Sequence, residues 1–170
     1  DLNAVRRFNM YSGRMIAVGN NGTIIYSTNN GSTWEPRQSP VTVDLRAMRG
    51  TGWVGGYNWL FIAGDDGQVW GVWENDIFNG DPIAWTNLSL PTSADINGFF
   101  GDSSSYLWVV CEDGTVWRKY RYDAWVQEPV PPDTPPLNSG KGGFGAGGTT
   151  IVLGDNGTIL RRASYGVPFE

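Results

Sequence analysis

One motif recurs four times along this chain and limits what it can fold into. Val18-Gly19-Asn20-Asn21-Gly22-Thr23-Ile24-Ile25, Ala63-Gly64-Asp65-Asp66-Gly67-Gln68-Val69-Trp70, Val110-Cys111-Glu112-Asp113-Gly114-Thr115-Val116-Trp117 and Leu153-Gly154-Asp155-Asn156-Gly157-Thr158-Ile159-Leu160 align without gaps. Their second glycines, at 22, 67, 114 and 157, are separated by 45, 47 and 43 residues. Each copy is a short apolar run, an Asn-Gly or Asp-Gly pair and a second β-prone run. Asn and Asp tolerate positive φ and Gly adopts it freely, so the pair suits a tight turn whose twist matches two antiparallel strands. Each copy therefore predicts a β-hairpin. The incoming runs 15–18, 60–63, 107–110 and 150–153 are almost continuously apolar, the pattern of strands buried on both faces.

Extending the register outward adds one strand before each hairpin and one after it. The earlier strands are 1–6, 44–49, 95–100 and 136–141, with a small residue at the fourth place (Ala4, Ala47, Gly98, Ser139) that suits a crowded axis. The later strands carry Trp34, Trp85, Trp125 and, in the fourth copy, Phe169. Four strands repeated four times, at a period of roughly 40 to 50 residues, predict an all-β fold: a β-propeller of four four-stranded antiparallel blades. The blades fall at about 1–40, 41–91, 92–135 and 136–170 of a single domain. The proline-rich stretch 129–136 is read as a stiff crossing between blades.

Composition narrows the function. With 24 Gly and 10 Pro among 170 residues long helices are not expected, and nine Trp exclude a disordered polar chain. The net charge of -5 offers no broad basic field for nucleic acid. Absence of histidine removes Ser-His-Asp and Cys-His catalysis and histidine metal sites, and the single Cys111 removes an intrachain disulfide or a cysteine cluster. No apolar run approaches the roughly 20 residues of a membrane span, and the polar start does not read as a signal peptide. The sequence opens on Asp rather than Met, as a processed chain or a domain of something longer would.

Ser27-Thr28-Asn29-Asn30-Gly31-Ser32-Thr33-Trp34 resembles the Asp-box (BNR) motif, Ser-x-Asp-x-Gly-x-Thr-Trp, with Asn29 at the Asp position. Joined to its hairpin, the whole unit resembles the repeat of photosystem II assembly-factor propellers and related Asp-box proteins, over nearly the whole chain. The resemblance implies fold far more than function, because Asp boxes occur in sialidases, xyloglucan-cleaving enzymes, sorting receptors, lectins, assembly factors and phage tail proteins. Such proteins commonly have about six or seven blades. Against them, four copies here either close a small ring or belong to one completed by another chain or by further sequence.

Three groups of residues are candidates for chemistry. Sialidase-like catalysis would draw on Arg6, Arg7, Arg46 and Arg49 with Asp44 and Asp95, but Asp1, Asp44 and Asp95 hold equivalent repeat positions, which reads as architecture. The acidic pairs before Gly67, Gly114 and Gly157 superficially resemble calcium loops, yet the first copy has Asn20-Asn21, which serves a turn and not a cation, so no metal or other cofactor is expected. The sixth place of the inner strand carries Arg6, Arg49 and Lys141, with Phe100 in the third copy. These cations form either an axial patch for an anionic partner, as the resembling assembly factors have, or solvated strand ends.

Six of the nine Trp occupy repeat positions and are assigned to the core; Trp53, Trp59 and Trp73 have no repeat-wide counterpart. Trp53, Tyr57 and Trp59 sit in a glycine-rich connection, 50–59, and Trp73 opens an inserted segment, about 73–84, expected on the same face. Such aromatics suit stacking on sugars or anchoring a protein; the alternative is that they cap the core or a neighbouring subunit. The leading expectation is a non-catalytic binding or assembly module. Its partner would be a protein or a surface glycan, on an extracellular or virion surface such as a phage tail, as a homo-oligomer or part of a larger chain. Two alternatives remain: a photosystem-type assembly factor of the periplasm or thylakoid lumen, and a sialidase-like glycosidase.

Overall fold

The computed structural model describes residues 1–8, 13–54, 57–80, 82–101, 106–120, 123–142, 148–164 and 166–170, without the side chains of 51–58. Its strands are consecutive antiparallel meanders. Blade 1 is β1 (Leu2–Arg7), β2 (Met15–Gly19), β3 (Ile24–Ser27) and β4 (Glu35–Pro36). Blade 2 is β5 (Leu45–Val54), β6 (Tyr57–Gly64), β7 (Val69–Trp73) and β8 (Thr86–Asn87), with a one-and-a-half-turn helix α1 (Glu74–Asn79) before β8. Blade 3 is β9 (Ile96–Phe100), β10 (Tyr106–Cys111), β11 (Val116–Tyr120) and β12 (Val126–Glu128), and blade 4 is β13 (Leu137–Gly142), β14 (Thr150–Gly154) and β15 (Ile159–Arg162). The chain is an all-β propeller of four blades.

Each of the four glycine turns joins the second and third strands of its blade, as expected. Asn21, Asp66 and Asn156 take φ of 55°, 56° and 55°, and the glycines after them 66°, 65° and 73°, so both central residues are left-handed. Blade 4 departs from the four-strand expectation. Pro168 offers no N–H to a ladder, and residues 166–170 make no strand, although Glu170 exchanges both backbone hydrogen bonds with Arg161 and Phe169 is buried at the place of the other blades' tryptophans.

A meander of this composition cannot hide both of its faces, so it packs against the next one. The core accordingly divides into three clusters, one per junction. Ile16, Val18 and Ile24 of blade 1 meet Leu45, Leu60, Ile62 and Val72 of blade 2. Ala63 and Val69 meet Ile96, Val109 and Cys111 of blade 3. Trp108, Val110 and Val116 meet Leu137, Val152, Leu160 and Phe169 of blade 4. Inner strands β1, β5, β9 and β13 pack side by side in that order, and among the described residues no packing of that extent joins β13 to β1. The four blades therefore form an open arc.

Polar groups register each junction. The Asp44 carboxylate accepts the Asn21 N–H at 2.8 Å, and Asp95 accepts the Asp66 N–H at 3.0 Å, so the first residue of one inner strand caps the turn of the blade before it. Asn3 donates to the Leu45 carbonyl and Asn97 to the Leu137 carbonyl, both at 3.0 Å. The outer tryptophans act likewise: the Trp85 indole donates to Gln38 O and Trp125 to Leu88 O, each on the preceding blade. Between blades 3 and 4, Glu128 accepts from Arg118 and from the buried Arg162, whose guanidinium lies 4.5 Å from the Trp108 ring centroid.

The turn glycines also give way to the chain entering the next blade. A Cβ at Gly67 would lie 2.1 Å from Thr92 O, and one at Gly22 2.0 Å from Val41 O, whereas one at Gly157 would meet nothing within 4 Å among the described residues. Gly157→Ala should therefore lose about 1 kcal/mol, for its positive φ alone, and Gly67→Ala roughly 3 kcal/mol or more, for φ plus a backbone clash. Urea midpoints of the two variants check this, and equal losses would contradict the junction geometry.

Candidate functional site

The sixth-place cations begin on the inner strands. Arg6 leaves β1 toward blade 2, and its guanidinium lies against Gly50 of β5, where any Cβ would come within 2.3 Å of Nε. Gly50 is thus the seat of Arg6. Burial lowers the Arg6 pKa, an effect opposed by the nearby carboxylate of buried Glu74, and its buried Nε has no hydrogen-bond partner. Arg49 is the residue before that seat. In blade 3 the equivalent Phe100 is buried, with its ring 5.3 Å from that of Trp108 and close against Gly140. Lys141 is exposed on β13. The structure therefore brings Arg6 and Arg49 onto adjacent strands and leaves Lys141 two inner strands further on, beyond an apolar position.

The unmatched tryptophans divide similarly. Trp59 and Trp73 are cross-strand partners on β6 and β7, with rings edge to face at 6.3 Å and 82°. Trp59 also stacks on Phe61 at 5.8 Å, which fixes it, while Trp73 is 42% exposed. Residues 50–54 and 57–59 are strand where the glycines suggested a loop, with Gly50 pairing Leu60, Thr51 pairing Trp59 and Val54 pairing Tyr57, while Gly55 and Gly56 lie outside the described residues. Trp53 and Tyr57 sit on these strands, and their side chains lie outside the described residues. The inserted segment is not an open binding loop either. In α1, Ile77 is fully buried, Phe78 meets Phe8 and Tyr26 edge to face at 5.6 and 5.7 Å, and the Ile77 carbonyl accepts from Arg37 Nε at 2.6 Å. It straps blade 2 onto blade 1.

These groups converge at one rim. Arg6 ends β1, Arg49 and Gly50 precede the far end of β5, Trp59 lies at the start of β6, and Trp73 ends β7 immediately before the Glu74 that acts on Arg6. Two arginines and an aromatic pair thus lie on strands at the non-turn end of blades 1 and 2. Glu74 and Gly50 were not singled out from sequence. Gly50 left a faint signal, as glycine also fills the seventh place in two other copies (Gly101, Gly142), while Glu74 belongs to the insertion and has no repeat counterpart.

The remaining candidates face the opposite, turn end. Arg46 is committed to Asp65 at 2.5 Å, Asp95 at 3.0 Å and Asn97 at 3.1 Å, which makes it a clamp across the blade 2–3 junction. Burial raises the Asp65 pKa even so, with Arg46 opposing. Among the described residues no group of three or more His, Cys, Asp or Glu could hold a metal ion. Within the Asp-box-like turn, Asn29 accepts the Thr33 N–H at 2.9 Å and donates to the Thr33 hydroxyl at 2.8 Å, and the Ser27 hydroxyl accepts the N–H groups of Asn29 and Gly31. These groups satisfy one another.

The fold and rim define a β-propeller with a small cationic and aromatic surface, and known structures share that fold. YCF48 from Cyanidioschyzon merolae superposes with a TM-score of 0.66 at 17% identity, over 95% of this chain and 50% of that one. A structure of YCF48 bound to D1 peptide gives 0.65 at 15% identity, over 99% of this chain and 52% of that one. The chain thus spans about half the length of the structures it matches. Compared as a sequence, it matches no family model and no curated protein.

Cys111, fully buried at the blade 2–3 junction, has its pKa pushed up to about 12 by burial. At pH 8 the folded chain should therefore leave a thiol reagent unconsumed over hours and take up one equivalent once denatured. Rapid reaction of the native protein would show that junction to be open.

Proposed function

We propose that the chain is a non-catalytic propeller module that docks a peptide segment of a protein partner, in the manner of an assembly factor. The observation that carries this reading is the rim that Arg6, seated on Gly50, and Arg49, the residue before that seat, share with the cross-strand Trp59–Trp73 pair. Two guanidinium groups bind a carboxylate through charge-assisted hydrogen bonds, and an exposed indole covers an adjoining apolar side chain. A neighbour of the same fold binds a D1 peptide, which supports a peptide over a glycan as the partner. A phage-tail or virion receptor of glycans has only composition and aromatic content behind it, and the Asp-box assignment only the turn 27–34.

The non-catalytic part of the reading is supported by the acids near the axis. Asp44 caps a turn, and Asp95 and Asp65 are held by Arg46. The setting consistent with an assembly factor is the periplasm or thylakoid lumen. No helix among the described residues is long and apolar enough to cross a membrane.

Titration of a fluorescent D1 peptide by anisotropy tests the reading. Arg49→Gln should weaken binding about tenfold, the loss of roughly 1.4 kcal/mol in a charge-assisted contact, and added salt should weaken the wild type in the same direction. An affinity unmoved by Arg49→Gln, or glycan binding lost on Trp73→Ala, would contradict it.

A further inference from the structure

Blades 1 and 4 each leave uncovered the face that every internal blade buries. On blade 4, Ile151, Leu153 and Ile159 are 42%, 46% and 66% exposed. Their repeat equivalents on blades 1 to 3, namely Ile16, Phe61 and Trp108, Val18, Ala63 and Val110, and Ile24, Val69 and Val116, are all 8% exposed or less. On blade 1, Leu2 is 55% exposed and Val5 62%, whereas Leu45, Ile96 and Leu137 at the place of Leu2 are fully buried. One end of the arc thus carries the donor half of a blade junction and the other end the acceptor half.

The polar registers match as well. Asp1 stands where Asp44 and Asp95 cap the turn of the preceding blade, and Asn156, with φ 55°, stands where Asn21 and Asp66 are capped. Asn3 and Asn97 each bridge their own turn and the next blade, donating to Asn20 and Leu45 O and to Glu112 and Leu137 O respectively. Asn138 already makes the first half of that bridge, to Asp155 at 2.7 Å, and the counterpart of the second acceptor is Leu2 O.

We propose that two copies of this chain join head to tail, blade 4 of each packing on blade 1 of the other, to close an eight-bladed ring about a two-fold axis. Apolar complementarity, Asp1 with the Asn156 N–H, and Asn138 with Leu2 O would repeat at both new junctions the contacts that already join blades 1, 2 and 3. A head-to-tail contact makes a ring only if its rotation closes. Two arcs of four give eight blades, within the range of about four to eight that propellers adopt.

Sedimentation equilibrium of the 170-residue chain tests this, with two variants of exposed residues, Leu153→Asp on blade 4 and Val5→Asp on blade 1. The wild type should sediment at twice its 18.7 kDa. Each variant alone should be monomeric and still melt cooperatively, and an equimolar mixture should regain a heterodimer, because one of its two junctions is then free of both substitutions. A wild type that stays monomeric at high concentration would overturn the proposal and leave these faces to further blades of a longer chain. A dimer that survives Val5→Asp, or an open series of larger masses, would overturn it too.

Discussion

Burial of one blade's apolar face against the next is the interaction on which the rest of this structure depends. A four-stranded meander has two faces, and the near-continuous apolar runs of β2, β6 and β10 give it no polar face to turn to water. Each junction removes both faces at once, which is why the core divides into three clusters at the seams instead of lying within any blade. The inner strands supply leucine or isoleucine at the first buried place, and the hairpins supply the follower-facing Ile, Val or aromatic.

Apolar faces alone would let blades slide, and polar groups set their angle. Asp44 and Asp95 fix a turn to the strand that follows, and Arg46 ties Asp65 to Asp95. Arg162 is buried on Trp108 and paired with Glu128, so the seam between blades 3 and 4 carries an ion pair inside its core. Breaking such a pair from one side strands a buried charge, which makes it a register device more than a source of net stability. The α1 strap adds a second layer at the first seam, so one insertion both reinforces blades 1 and 2 and sets the Glu74 carboxylate near the buried Arg6 guanidinium.

Much of the fold was legible because turn chemistry and repeat position act locally. The Asn-Gly and Asp-Gly pairs mark the hairpins, and the recurring tryptophans mark the outer positions that reach back to the previous blade. What was not legible depends on neighbours. Ile151, Leu153 and Ile159 read like their buried counterparts, since the side chains that would cover them belong to whatever follows blade 4. Six residues of α1 are too few to show a helical period. The glycines at 50 and 52 suggested a loop, although ladder pairing of Gly50, Thr51 and Val54 with β6 outweighed their conformational freedom. Of the candidate site, Arg6, Arg49, Trp59 and Trp73 were visible as departures from or repeats of the pattern. Their meeting at one rim, and the separation of Lys141, follow from blade order around the axis.

In the open arc the rim of two arginines and an aromatic pair stands on sealed seams, while the apolar faces at the two ends stay uncovered. Amide hydrogen exchange at a concentration that holds single chains tests the open arc most directly. The account predicts the slowest exchange in β6, β9 and β10, each buried against a neighbouring blade, and faster exchange in β1, β14 and β15, each with one uncovered face. Equal protection of all four blades would mean that β13 and β1 meet in a closed ring, and would contradict it.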